Sequence, residues 1–172
     1  MNDPLIHSLK DSSVVHDSEL IAGFFSPMGF AGLIFLLVII NHALFAEFVL
    51  SIHRRFMDPL LEAGKSFHAR LVGYVCILIL ILGHLTEIVI WATSLVVTGL
   101  ISSMTTALYY SGSTYTTLGY GSDPMSNGRN AITVVIALSG MLTVAVTTSI
   151  LMSQFSQYHE CGRLARGKKS TP

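Results

Sequence analysis

LVGYVCILILILGHLTEIVIWATSLVVTGLISSMTTALYYSGSTYTTLGYG, residues Leu71–Gly121, is 51 residues long and carries a single acidic or basic side chain apart from His84, namely Glu87. About 20 helical residues cross the ~30 Å hydrocarbon core of a bilayer, so the stretch is more than long enough for one span. Two further runs lack charge altogether, Phe24–Ala46 and Asn130–Tyr158. Over all 172 residues, 51% are hydrophobic and 12% charged, against about 25% charged in soluble domains. The chain therefore reads as an all-α integral membrane protein with three transmembrane helices, near Met28–Ile52, Ala69–Ile101 and Arg129–Gln157. A soluble enzyme, a secreted disulfide scaffold and a nucleic-acid-binding domain are excluded on the same grounds. No residue spacing suggests hydrolytic, redox or transfer chemistry, so the chain reads as a non-enzyme without cofactors. Cys76 and Cys161 form no disulfide framework and read as free thiols.

Charge orders the topology. Arg54, Arg55, Lys65 and Arg70 lie between the first two spans, and Arg163, Arg166, Lys168 and Lys169 follow the third. Eight of the ten basic residues thus fall in two segments, which the positive-inside rule assigns to the cytoplasm. The N-terminus is then outside, and the expected units are a polar outer segment 1–23, a first transmembrane helix 24–52, a cytoplasmic linker 53–68, a pore-like unit 69–158 and a basic cytoplasmic tail 159–172. Asp58-Pro59 and Gly64 are turn signals within the linker. Residues 1–23 hold Asp3, Asp11, Asp17 and Glu19 against Lys10 alone, unlike the positive start of a cleavable leader.

Residues 102–129 are too short for another span and too apolar for an ordinary loop. Helix-compatible residues, Ser102–Tyr110, give way to the small and hydroxyl-rich run Ser111–Gly121, the pattern of a re-entrant half-helix followed by extended backbone. Non-helical backbone at membrane depth is tolerated where it is buried in protein or lines a water-filled cavity. In Thr116-Thr117-Leu118-Gly119-Tyr120-Gly121, stacked carbonyls can replace the water shell of a dehydrated potassium ion without adding net charge. The glycines supply the backbone freedom this needs, a threonine hydroxyl adds a ligand oxygen, and Tyr109, Tyr110, Tyr115 and Tyr120 are placed to brace the strand.

The stretch 107–121, ALYYSGSTYTTLGYG, resembles the potassium-channel pore family, in which a pore helix leads into a TVGYG-type filter; Leu118 stands where Val or Ile is usual, and Ser122 precedes the Asp123 that usually follows Gly-Tyr-Gly directly. The likeness extends over about Ala69–Tyr158, with Val134, Val135 and Gly140 matching the family's inner helix. Asn41-His42 and His84-x-x-Glu87 resemble features of small bacterial three-span members. The resemblance implies a homotetramer in the plasma (bacterial inner) membrane around one axial pore, permeant K+ ions, and ion binding by Thr117, Leu118, Gly119, Tyr120 and Gly121. It further implies a hinge at Gly140 and a cavity lined by the third span, where Thr143 and Thr147 share one face; helix packing explains those threonines equally. No regularly spaced arginines mark a voltage sensor, so gating falls to the membrane helices, the short termini or an unseen regulatory partner. Alternative readings are a non-conducting scaffold subunit on a pore fold, and a proton- or metal-sensing membrane protein.

That last alternative rests on polar residues within the spans. At 1.5 Å per residue, His42 lies ~3–5 Å and His84 ~2 Å to the cytoplasmic side of the midplane. Glu87 shares a helix face with His84. Ionisable groups at that depth pair or face the bundle interior, so Asn41, His42, His84 and Glu87 are expected to cluster. A packing cluster, a proton-linked gate and a metal site with His42, His84 and Glu87 as ligands are the three forms such a cluster can take. Glu47 is expected to reach Arg54 or the membrane interface instead.

Overall fold

The computed structural model describes residues 27–63, 65–119 and 130–167, and these are helical apart from short connections. Three helices are long and apolar enough to cross a membrane, over Gly29–Leu60, Phe67–Val97 and Ala131–His159. Helix α1, Pro27–Ile52, does not end where the basic residues begin. It runs through a π-helical turn, His53–Met57, into the short α2, Asp58–Glu62. The proline explains the wide turn: Pro59 has no N–H and its ring crowds the carbonyl four residues back, and the preceding amide of Asp58 bonds instead to the His53 carbonyl. Asp58-Pro59, expected as a turn signal, therefore lies within a continuing helix. The linker shrinks to a few residues before α3, Ser66–Val97.

Helix α3 ends in a tight reversal at Gly99, whose φ is +68°. The Gly99 amide bonds to the Val96 carbonyl and the Leu100 amide to the Leu95 carbonyl, both at 3.0 Å. This is the helix stop in which a left-handed residue turns the last carbonyls inward. The chain then enters the half-helix α4, Met104–Tyr115, which continues past the expected Tyr110, with its hydroxyl residues bonded back to their own helix. Ser113 donates to the Tyr110 carbonyl at 3.1 Å and Thr116 to the Gly112 carbonyl at 2.7 Å. Helix α5, Asn130–Gly167, closes the fold and extends past the expected Gln157.

Helix α4 packs between α3 and α5, and α1 lies against both of those spans. Trp91, Leu95, Tyr110, Tyr115 and Ile136 form the main core, with Ala31 and Val38 of α1 added to it. The Trp91 indole donates to the Ser139 hydroxyl at 3.0 Å, tying α3 to α5. Small residues set the helix spacing, as is usual between membrane helices. A Cβ at Gly83 would approach the Phe45 ring at 3.1 Å. One at Gly140 would stand 2.0 Å from the backbone carbonyl oxygen of Tyr115.

Both sides of that second contact are backbone, so neither can swing aside. Gly140→Ala is expected to cost about 1–3 kcal/mol or more, read as a lowered midpoint of chemical unfolding in detergent. Gly32→Ala, where the new methyl meets nothing within 4 Å, is expected to leave that midpoint unchanged. Equal behaviour of the two variants would contradict the close crossing of α4 and α5.

Candidate functional site

The half-helix buries Ala107, Tyr110, Ser111, Thr114 and Tyr115, a three-and-four spacing that puts one face against α3 and α5. Its carbonyl end leads straight into the Thr-Gly stretch. There the Thr117 amide bonds to the Thr114 carbonyl at 2.9 Å, and the Leu118 amide to the Ser113 carbonyl at 2.8 Å. The pattern repeats the stop at the end of α3, but Thr117, with φ +59°, occupies the left-handed position that Gly99 holds there. A left-handed conformation costs an L-residue roughly 1–2 kcal/mol, and a β-branched residue adopts it only where its surroundings insist. Thr117 is thus a turn residue and not the start of extended backbone. Gly119 is left-handed as well, with φ +64°. Thr116, Thr117, Leu118 and Gly119 are all exposed in the single chain; Tyr120, Gly121 and Ser122 lie outside the described residues.

Directly behind this turn sits a buried polar cluster drawn from four helices. The Glu87 carboxylate is 0% exposed. One of its oxygens is 2.9 Å from Nδ1 of His42, and the other accepts a hydrogen bond from the Tyr115 hydroxyl. Nδ1 of His84 lies 2.7 Å from the same hydroxyl, and Thr143 Oγ1 lies 2.6 Å from it. Nε2 of His84 is 3.0 Å from Thr147 Oγ1, which is 3.4 Å from Nε2 of His42. The imidazoles stand with centroids 5.2 Å apart.

The structure thus brings His42, His84 and Glu87 together and leaves Asn41 out. The Asn41 amide nitrogen is buried without a partner, and no hydrogen bond among the described residues joins it to the cluster. Gly140, Thr143 and Thr147, expected along a cavity and at a hinge, make contacts within the chain. Thr143 is 1% exposed and bonded to Tyr115, Gly140 is packed on the Tyr115 backbone, and Thr147 bridges the imidazoles. Thr143 and Thr147 thereby supply hydrogen-bond partners to polar groups on α1, α3 and α4. Glu47 lies 3.9 Å from Arg54 across an exposed helix surface, a pair of little energetic weight. Tyr109 points outward, whereas Tyr110 is buried beside Thr133.

Tyr115 is the residue whose importance sequence reading missed. It appeared only as a brace for the filter, and it is the hub between Glu87, His84 and Thr143. Its place on the buried stripe of α4, four residues after Ser111, is the signal that was available. As for metal, the candidate ligand atoms of His42, His84 and Glu87 lie within 4.8 Å of one another. Of these pairs only His42 Nδ1 and Glu87 stand at hydrogen-bond distance, 2.9 Å; Nδ1 of His84 is 3.6 Å from Glu87 and is engaged by the Tyr115 hydroxyl instead. Ligands held at 2.0–2.1 Å around a tetrahedral ion stand about 3.3 Å apart, whereas the contacts around Glu87 and Tyr115 are shorter and already filled. The arrangement fits hydrogen bonding and not coordination.

Three spanning helices with a half-helix wedged between the last two define a multi-pass membrane protein with a re-entrant segment. A family model described as ion channel matches residues 74–157, a segment that runs from α3 through α4 into α5. The match supports an ion channel, consistent with a lipid bilayer setting. No curated protein and no solved structure matches the chain significantly.

Two outcomes follow from this geometry. Tyr115→Phe removes the hydroxyl that serves Glu87, His84 and Thr143 and leaves a buried carboxylate oxygen short of a donor; it is expected to destabilise the protein by about 1–3 kcal/mol. Tyr74→Phe, at a side chain 63% exposed, is expected to leave the unfolding midpoint where it was. At position 117, neither Gly nor Ala has the hydroxyl, so their difference reports backbone conformation. Thr117→Gly is expected to be more stable than Thr117→Ala by about 1 kcal/mol, whereas in an extended strand alanine would be the more stable.

Proposed function

We propose that four copies of this chain surround a single axial pore and conduct potassium, or cations with weak selectivity, passively down their gradient. The ions are bound by carbonyl and hydroxyl oxygens of Thr117, Leu118, Gly119, Tyr120 and Gly121. The observation that carries the reading is the half-helix and what it leads into. At 12 residues, or ~18 Å, α4 is too short to cross a membrane. It delivers an exposed Thr-Thr-Leu-Gly turn whose backbone oxygens have no use for lipid. A ring of such turns from several chains supplies the oxygens that replace an ion's water shell. The carbonyl end of α4 faces the stretch, so its negative partial charge favours a cation. The family match over residues 74–157 supports the same reading at the level of an ion channel. The basic residues flanking α1 and ending α5 support an orientation with both termini as the charge rule assigns them, the N-terminus outside and the C-terminus in the cytoplasm.

The test is potassium flux in liposomes carrying the purified protein, with sodium substitution to read selectivity. Gly119→Ala puts a side chain on a left-handed residue at roughly 1–2 kcal/mol, and is expected to cut flux on the order of tenfold. Thr117→Ala, lacking a ligand oxygen, falls in the same direction. Ser122→Asp, which restores the commoner family residue, is expected to conduct at least as well as the parent. Equal flux in all three variants at matched yield of assembled protein would show that ions do not pass through this stretch.

A further inference from the structure

Six hydrogen-bond contacts join the side chains of the buried cluster: His42 to Glu87, Tyr115 to Glu87, His84 to Tyr115, Tyr115 to Thr143, His84 to Thr147, and Thr147 to His42. Each contact needs a hydrogen between its two heavy atoms. With Glu87 ionised and both imidazoles neutral, His42, His84, Tyr115, Thr143 and Thr147 bring one hydrogen apiece. That leaves one contact empty. The shortfall is plainest at Thr147. Both Nδ1 atoms are occupied as donors toward Glu87 and Tyr115, so both Nε2 atoms are acceptors, and a single hydroxyl hydrogen faces the two of them. Thr143 also lies 3.0 Å from the Ser139 carbonyl and 3.2 Å from that of Gly140; spending its hydrogen there widens the deficit.

We propose that the cluster is a proton-binding site, holding one exchangeable proton shared among His42, Thr147, His84 and Glu87 beyond the hydrogens of the ionised-carboxylate state. Loaded, and with Thr143 donating to Tyr115, all six contacts are filled and the net charge is zero, whether the proton rests on an imidazole or on the carboxyl. Unloaded, the cluster carries one negative charge on a carboxylate that is 0% exposed, in a segment where unpaired charge is costly. Nothing else among the described residues can neutralise it. Helix α1 contributes only His42, α3 only His84 and Glu87, α4 only Tyr115, and α5 only the hydroxyls of Thr143 and Thr147. His53, Arg54, Glu47 and Asp58 lie toward the far end of α1 and pair there or with Gln157. His84, with 18% of its side chain exposed against 4% for His42, is the point of entry and exit for the proton.

The proton is felt at the pore helix. Tyr115 is the last residue of α4, two positions before the left-handed Thr117, and its hydroxyl takes part in three of the six contacts. Losing the proton leaves one of the six contacts without its hydrogen, in the network that holds the end of α4 in place. The site therefore ties proton occupancy to the conformation at the start of the Thr-Gly stretch, whether or not ions pass there.

The experiment is a pH titration of the full chain in lipid bilayers, followed by nitrogen-15 spectra of labelled histidines and by the ring carbons of labelled Tyr115, with metal content measured on the same sample. The expected result in the parent is one titration step reported at a common midpoint by His42, His84 and Tyr115. Glu87→Gln, which removes the charge that the proton balances, is expected to abolish the shared step. Thr147→Val is the milder variant, keeping every ionisable group and losing only the bridge; it is expected to separate the responses of the two imidazoles. The proposal is overturned if His42 and His84 in the parent titrate independently of each other and of Tyr115. It is equally overturned if one equivalent of a transition metal per chain copurifies and is lost with His42→Ala.

Discussion

A carboxylate with no exposed surface, carried by a helix that crosses the bilayer, has to be supplied with donors, and Glu87 imposes that demand on every helix around it. Helix α1 answers with His42, α4 with Tyr115 and α5, through Tyr115, with Thr143. The first span, which stands outside the segment matched by the ion-channel family, is thereby bonded to the centre of that segment. In a membrane, apolar packing alone distinguishes poorly between one helix neighbour and another, because lipid tails are as apolar as leucine. A network of directed hydrogen bonds has one arrangement that fills it, so the polar cluster decides which faces of α1, α3, α4 and α5 meet.

The second consequence appears where α4 ends. Gly140 lets the backbone of α5 come up against the Tyr115 carbonyl, while the Tyr115 hydroxyl is held by Glu87, His84 and Thr143. Fixed through backbone and side chain, the helix end can oblige Thr117 to take a backbone conformation that glycine takes at the end of α3. Strain of this kind survives where surrounding contacts over-determine the chain, and it concentrates at working positions. Thr117, Leu118 and Gly119 are left exposed in the single chain.

The spans were legible in the sequence because exclusion of charge over more than twenty residues has few other causes. The half-helix was legible because Ser102–Gly121 fitted neither a span nor a loop. The depth of His42 and His84, with the three-residue step to Glu87, was enough to group them. What escaped has physical reasons too. Asp58-Pro59 marks a helix stop in most settings, and only the π turn before it lets α1 continue. Tyr115 could not be assigned to Glu87 because that contact depends on how a re-entrant helix is tilted between two spans, which no periodicity encodes. Thr143 and Thr147 do share a face, as their spacing required, but hydroxyl residues serve a wet cavity and a buried network equally well. The bonds these two make to Tyr115 and the histidines depend on how the helices pack, which spacing alone does not carry.

The central claim is that the polar cluster holds a half-helix whose end forms part of an ion path shared between chains. The most direct measurement is an experimental structure of the assembled protein in lipid and potassium. The expected result is four chains with residues 117–121 nearest the common axis, ion density between them, and Tyr115 bonded to Glu87 in every chain. Residues 117–121 facing lipid, or a stable monomer in which they continue the helix, would contradict it.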